Sequence, residues 1–392
     1  MLTIKNNNIL LILLLFISSH WIHAENINKS IPNLPVDVSY LIVDLKFTKK
    51  NGAQICEIQH GVVSSFKGDK YSNNGIELIA QNFVKELGKF YEKSWVETES
   101  VRDVSSRQLL LVNDQWIKIN KFENLLKDRQ FLLHASLPVY DPEDLFSYHG
   151  FVIIKPKATD NRELFRKKYP GVVFIDNAIY LYQRDKGKIN QFLRNHPIAE
   201  KHKPKWNIYK TKYHKNLATT ISQEIGSDLL VIKPINGIQG RGVIILKKED
   251  LNQVLEGILN KDEEKIPKKD SAYQYWLTTP NKFFMVEEFA DSDPVRVLHL
   301  GGKFYSPTIR IAFLLFYSKR NIEIVCLGGY NKLPKKALSD EGTLNEKHKS
   351  AGTLPYFCKA DPLVIQEAGD QLKEVLTVVY RRMLGLEQIN ND

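Results

Sequence analysis

Leu229–Leu246 reads LLVIKPINGIQGRGVIIL, two apolar runs joined by a loop that holds Gly237, Gly240 and Gly242. Both runs are short and rich in branched aliphatic residues, so the loop joins strand to strand. Lys233 closes the first run, where its ammonium emerges beside the loop. Glycines let backbone N–H groups approach a polyphosphate without Cβ interference, and a nearby ammonium offsets part of its charge. A dinucleotide-binding GxGxxG loop opens a helix instead, and a Walker A loop needs Gly-Lys followed by Ser or Thr. This stretch fits neither.

Further along, Phe283–Phe289 (FFMVEEF) is an apolar strand ending in Glu287, Glu288 and an aromatic. Side chains alternate faces along a strand, so two adjacent carboxylates face one pocket only where the strand stops. Asp293-Pro-Val-Arg296 then supplies an acid and a cation at the head of another strand. Upstream, Asp185-Lys186 stands at the start of a helical segment.

This order of features resembles the ATP-grasp superfamily over roughly residues 176–330: a helix Lys, a strand Lys before a glycine hairpin, an EEF hinge, then an acid and an Arg. The resemblance implies ATP as ligand, with Lys186 and Lys233 at its phosphates. Gly237, Gln239, Gly240, Arg241 and Gly242 would form the flap over the triphosphate. Glu287, Glu288 and Phe289 would meet the adenine edge, and Asp293 the ribose, although the spacing to Asp293 is one residue shorter than the family pattern. Arg296 and Arg310 are the catalytic candidates, because a planar guanidinium clamps a phosphate or acyl phosphate bidentately.

The resemblance also implies Mg²⁺, which needs hard oxygen ligands. The family draws these from an acid strand and a Glu-x-Asn strand near the end, and no such Glu-x-Asn strand follows here. Asn331, Asp340, Glu341, Asn345 and Glu346, in a polar stretch, are substitutes by composition alone, so the metal ligands stay unassigned. The implied activity is ATP-dependent joining of a carboxylate to an amine or thiol through an acyl phosphate. Two rivals remain: a nucleotide-binding pseudoenzyme lacking a complete metal site, and an exported basic binding protein without nucleotide.

The chain's 392 residues leave room for two or three domains, and 43% hydrophobic with 26% charged residues is the composition of a folded protein. The formal charge is +10, but its 55 basic and 45 acidic residues are interspersed. That pattern suits anionic small ligands better than a nucleic-acid surface. Lys5 followed by the apolar Ile9–Ile17 and then Ser18–Ala24 has the form of a signal peptide, too short to span a bilayer comfortably. The expectation is an exported chain, with a membrane-anchored form or delivery into another cell's cytoplasm as the alternatives. Three scattered cysteines make neither a disulfide framework nor a zinc site.

The expected organisation is a leader (1–24), a linker (25–35), an α/β domain (36–175) and an ATP-grasp-like α+β unit of two subdomains (176–392) with a hinge near 287–295. Strands at Tyr40–Phe47, Ile55–Ile58, Leu109–Val112, Phe131–His134, Phe151–Ile154 and Val172–Ile175 alternate with helices such as Ile76–Glu92 and Arg162–Lys168. Such alternation predicts a parallel sheet, as the family's preceding domain would have. Cys56–Gly61, continuing through Ser64–Gly68, is a polar stretch proposed as an acceptor-substrate loop. Strands at Val297–Leu300, Tyr305–Tyr317 and Ile322–Leu327 are expected to be antiparallel, and Pro362–Leu384 a closing helix.

Overall fold

The computed structural model describes residues 38–61, 66–88, 94–98, 108–112, 115–119, 151–154, 173–174, 182, 185–237, 239–267, 270–317 and 322–387. The expected leader, linker, Phe131–His134 strand, Arg162–Lys168 helix and Ser64-Ser65 lie outside the described residues.

The first strands are β1 (Val38–Thr48), β2 (Gly52–His60), β3 (Ser94–Thr98), β4 (Gln108–Val112), β5 (Gln115–Ile119), β6 (Phe151–Ile154) and β7 (Val173–Phe174). Then come β8 (Trp206–Lys210), β9 (Leu229–Pro234), β10 (Ile244–Lys247) and β11 (Phe283–Glu288). The last are β12 (Val295–Val297), β13 (Lys303–Tyr305), β14 (Thr308–Tyr317), β15 (Ile322–Lys332) and β16 (Phe357–Lys359).

Two antiparallel sheets carry the centre of the molecule. The first has the order β16-β15-β14-β1-β2, and the second β10-β9-β11-β8. A third, mixed sheet, β5-β4-β3-β6-β7, contains the parallel pairs β3–β6 and β6–β7. Parallel pairing was expected of β1 and β2 as well, and there the structure corrects the expectation. β1 runs antiparallel to β2 and to β14, so the N-terminal hairpin belongs to the sheet of the C-terminal strands.

The reason lies in burial. Leu41, Val43, Leu45 and Phe47 face the helix Pro362–Met383, meeting its Leu372, Val375, Leu376 and Val379. Tyr40, on the other face, stacks on Phe66. A strand covered on both faces reads as a near-continuous apolar run, which is also how a parallel strand reads. Each of these aliphatic side chains contributes about 1.5–3 kcal/mol on burial.

The long helix starts where Asp361 accepts a hydrogen bond from the Leu363 N–H at 2.9 Å, with Pro362 at its first position. The second sheet packs on helices Leu217–Ile225, Leu251–Asn260 and Ser271–Thr278 through Ile221, Leu255 and Trp276. No helix of the described residues is long and apolar enough to cross a membrane.

The hairpin β1–β2 also ties the two main sheets together. The Ile55 N–H donates to the His202 carbonyl at 2.7 Å, and the Asp293 N–H to the Phe47 carbonyl at 2.9 Å. The Phe47 N–H donates to Ser292 Oγ at 3.0 Å, and Gln54 Nε2 to the Lys201 carbonyl at 3.0 Å.

Candidate functional site

Between the two sheets lies a cavity of about 490 Å³. One wall is the end of β9 and β11 with the glycine turn, contributing Lys233, Gln239, Gly240, Glu287, Glu288 and Phe289. The opposing floor is the polar face of β1, β2, β14 and β15, contributing Asp44, Lys46, Glu57, Thr308, Arg310 and Lys332. The segment His348–Thr353 closes one side. Six lysine and arginine side chains and four carboxylates line this space, a surplus that favours an anionic ligand.

The glycine turn is held from behind. Gln239, Gly240 and Gly242 have φ of +56°, +67° and +72°, the left-handed region that glycine tolerates. Trp276 Nε1 donates to the Gly242 carbonyl at 2.9 Å, and a Cβ on Gly242 would lie 2.4 Å from the Tyr275 ring. Arg241, expected in the flap, is exposed and does not line the cavity.

At the back of the cavity, Glu287 is buried between Lys203 and Lys233. Lys203 Nζ lies 2.5 Å from its Oε1, and Lys233 Nζ pairs with its Oε2. The same lysines reach into β2: Lys203 donates to the Ile55 carbonyl at 3.2 Å and Lys233 to the Cys56 carbonyl at 3.3 Å. Burial opposes the charge on Glu287, but the two ammoniums outweigh it and hold the carboxyl below its ordinary range. For Lys233, burial is likewise outweighed by Glu287, and its pKa rises. Lys203 is pushed down by burial. Lys186 pairs with Glu57 at 3.2 Å and donates to the Gly237 carbonyl, tying the hairpin to the glycine turn.

On the floor, Arg310 grips Asp44 bidentately at 2.7 and 2.8 Å, and Lys332 Nζ lies 2.9 Å from the same carboxylate. Burial would raise the Asp44 pKa, yet Arg310 and Lys332 hold it well below the usual carboxylate range. Lys46 is different. Its Nζ donates to the carbonyls of Pro307 at 2.9 Å and His348 at 3.3 Å and to Ser306 Oγ at 3.2 Å. Among the described residues no carboxylate pairs with it, and burial pushes its pKa down to about 8 against the pull of Cys56 and Asp291.

The sequence-derived candidates therefore divide. Lys186, Lys233, Gln239, Gly240, Glu287, Glu288, Phe289 and Arg310 converge on the cavity, and Gly237 touches it through Lys186. Glu287 and Glu288 both line it because β11 ends there, leaving Glu288 exposed at the rim. Asp293 and Arg296 do not line it: Asp293 accepts from the Lys49 N–H at 2.8 Å, and the exposed Arg296 donates to the Gly302 carbonyl at 3.2 Å. The proposed acceptor stretch is not a loop at Cys56–His60 but strand β2, which presents Cys56, Glu57 and Gln59 to the cavity. Sequence reasoning missed Asp44, Lys46, Lys203, Lys332 and Lys349. Two charges alternating within the apolar run Tyr40–Phe47 were the available signal for the first two.

The donor set does not fit a divalent cation. Asp44, Glu57 and Glu287 are each engaged by lysine or arginine, and β14 and β15 contribute Thr308, Arg310, Tyr330 and Lys332 to the lining but no carboxylate. Glu288, at the rim, is the one lining carboxylate with no cation partner among the described residues. Asp340 pairs with Lys303 at 2.7 Å, and Glu346 caps its own helix at Thr343. Asn345 accepts from the Ile245 N–H at 2.8 Å, and Asn331 Nδ2 donates to the Lys359 carbonyl at 3.3 Å. None of these four lines the cavity.

No family model matches the sequence, and no curated protein does. Among solved structures, D-alanyl-alanine synthetase A from Vibrio cholerae aligns at 12% identity and a TM-score of 0.31, over 59% of each chain. The chain thus spans less than two thirds of that enzyme's length. The D-alanine-D-alanine ligase from Coxiella burnetii aligns at 10% identity and a TM-score of 0.24, covering 73% of this chain and 78% of that one. That from Helicobacter pylori aligns at 11% and 0.21, covering 81% and 97%.

Proposed function

We propose that the cavity binds ATP and that the protein is an ATP-grasp-type ligase, joining a carboxylate to an amine or thiol. The observation that carries this reading is the cation surplus of a cavity roofed by a glycine turn between two antiparallel sheets. In the reaction, a substrate carboxylate oxygen attacks the terminal phosphorus and the bond to ADP breaks. The amine or thiol then attacks the acyl carbon and phosphate leaves. No protein nucleophile is needed, so the residues contribute position and charge. In this reading Arg310, gripped by Asp44, meets an anionic oxygen of the ligand, and Lys186 keeps the glycine turn against the hairpin.

A second reading, ATP binding without turnover, is favoured by the engagement of Asp44, Glu57 and Glu287 in ion pairs. The test is thermal stability of the full chain with ATP, followed by ADP release in pools of carboxylates with amines or thiols. Release that requires both acceptors supports the ligase. A shift without release in every pool supports the second reading, and no ATP-dependent shift refutes both.

A further inference from the structure

The floor of the cavity and the segment that closes its side contain two cations that no carboxylate among the described residues meets within ion-pair distance. Lys46 is 4% exposed, and its hydrogens are taken by carbonyl and hydroxyl oxygens that leave its charge uncancelled. Lys349 is half-buried, and among the described residues its ammonium has no hydrogen bond and no carboxylate within ion-pair distance, Asp270 acting on it only from further away. Its Cε lies 3.3 Å from where a Cβ on Gly240 would sit, so it meets the glycine turn across the mouth. The bond from Lys46 to the His348 carbonyl fixes the chain next to Lys349. Lys332 and Arg310 share the carboxylate of Asp44, with Glu57, itself paired to Lys186, acting on both from further away. A half-buried ammonium without a counter-ion costs free energy unless a ligand supplies the negative charge.

Resting on the ATP reading above, we propose that this cavity takes the phosphate chain of its ligand without a divalent cation. Lys332 and Lys349 contact the phosphate oxygens, and Lys46 and Arg310 supply the field beneath them. Three of the four lining carboxylates are engaged by cations, which is why the donor set fails to fit the metal. Magnesium bound to the ligand would lower the charge these lysines attract.

The test is titration calorimetry of the full chain with ATP and with inorganic tripolyphosphate, in EDTA and in excess Mg²⁺ at matched ionic strength. The expected result is an affinity in EDTA at least equal to that in Mg²⁺ for both ligands. Lys349→Ala and Lys332→Gln should each weaken it about tenfold, the loss of one charge-assisted hydrogen bond. Lys349→Arg, which keeps the charge, should retain it, and unchanged thermal midpoints of the three variants show that they fold. An affinity that rises tenfold or more on adding Mg²⁺ overturns the proposal while leaving the ATP reading intact. So does Mg²⁺ dependence abolished by Glu288→Gln, or indifference to both lysine substitutions. No binding of either ligand in either buffer overturns both readings.

Discussion

The two sides of the cavity use buried lysines in opposite ways. At the back, Lys203 and Lys233 close on Glu287 and donate their remaining hydrogens to β2 carbonyls, so charge and hydrogen bonds are spent on joining the two sheets. On the floor and side, Lys46 and Lys349 have no carboxylate within ion-pair distance among the described residues, and Lys332 shares Asp44 with Arg310. A lysine in the lining is therefore not by itself a phosphate contact. Lys233, the strongest candidate by motif, is part of the joint, while Lys46, Lys332 and Lys349, the lysines left for a ligand, lie outside the stretch that resembles the family.

Glu287→Gln probes the joint and should have the largest effect. It leaves two buried ammoniums without a counter-charge, and removing one partner of such a set costs about 3–5 kcal/mol. Urea unfolding of the full chain measures it; a loss below about 1 kcal/mol would mean the joint is not held by these charges. The acid limb of stability sharpens the same point. Glu287 and Asp44 are both held below the ordinary carboxylate range, so the folded chain gives up these protons more readily than the unfolded chain. Their contribution is complete above about pH 5 and is lost as pH falls through the folded values. Glu287→Gln should flatten part of that limb, and an unchanged slope would assign the acid sensitivity elsewhere.

How far the sequence foretold this arrangement follows from how local each signal is. β9, β10 and β11 were legible because short apolar runs bounded by glycine and proline carry their own pattern. The pairing of β1 with β14 was not, since Asp44 and Arg310 meet across 266 residues of sequence and nothing local records it. The same holds for the site. Alternation of charge in Asp44 and Lys46, Thr308 and Arg310, Tyr330 and Lys332 marks one polar face on each strand. That these faces share one floor is a property of topology. Asp293 and Arg296 fall outside the lining: the spacing to Asp293 was already one residue short of the family pattern, and Arg296 lies on β12, which pairs with β13 in a separate ribbon.

Two smaller effects test whether the floor is open to a ligand. An anion bound above Lys46 favours its protonated form, and burial has lowered its pKa to about 8. ATP affinity should therefore fall as pH rises through about 8, while stability of the free protein rises over the same interval because the unfolded chain holds that proton longer. Cys56, Asp291 and Lys332 also bear on Lys46, so the diagnostic comparison is Lys46→Met: weaker at pH 7 and flat to pH 9. A slope that persists in the variant would place the titrating group elsewhere.

Arg296→Ala should do least. Its guanidinium is exposed and donates to Gly302 within its own hairpin, so stability should change within about 0.5 kcal/mol. ATP affinity, measured by the same calorimetry, should not change, because the charge lies outside both joint and floor. A tenfold loss there would show that the ribbon β12–β13 folds over the ligand, and the division into a closed back and an open floor would need a third, moving element.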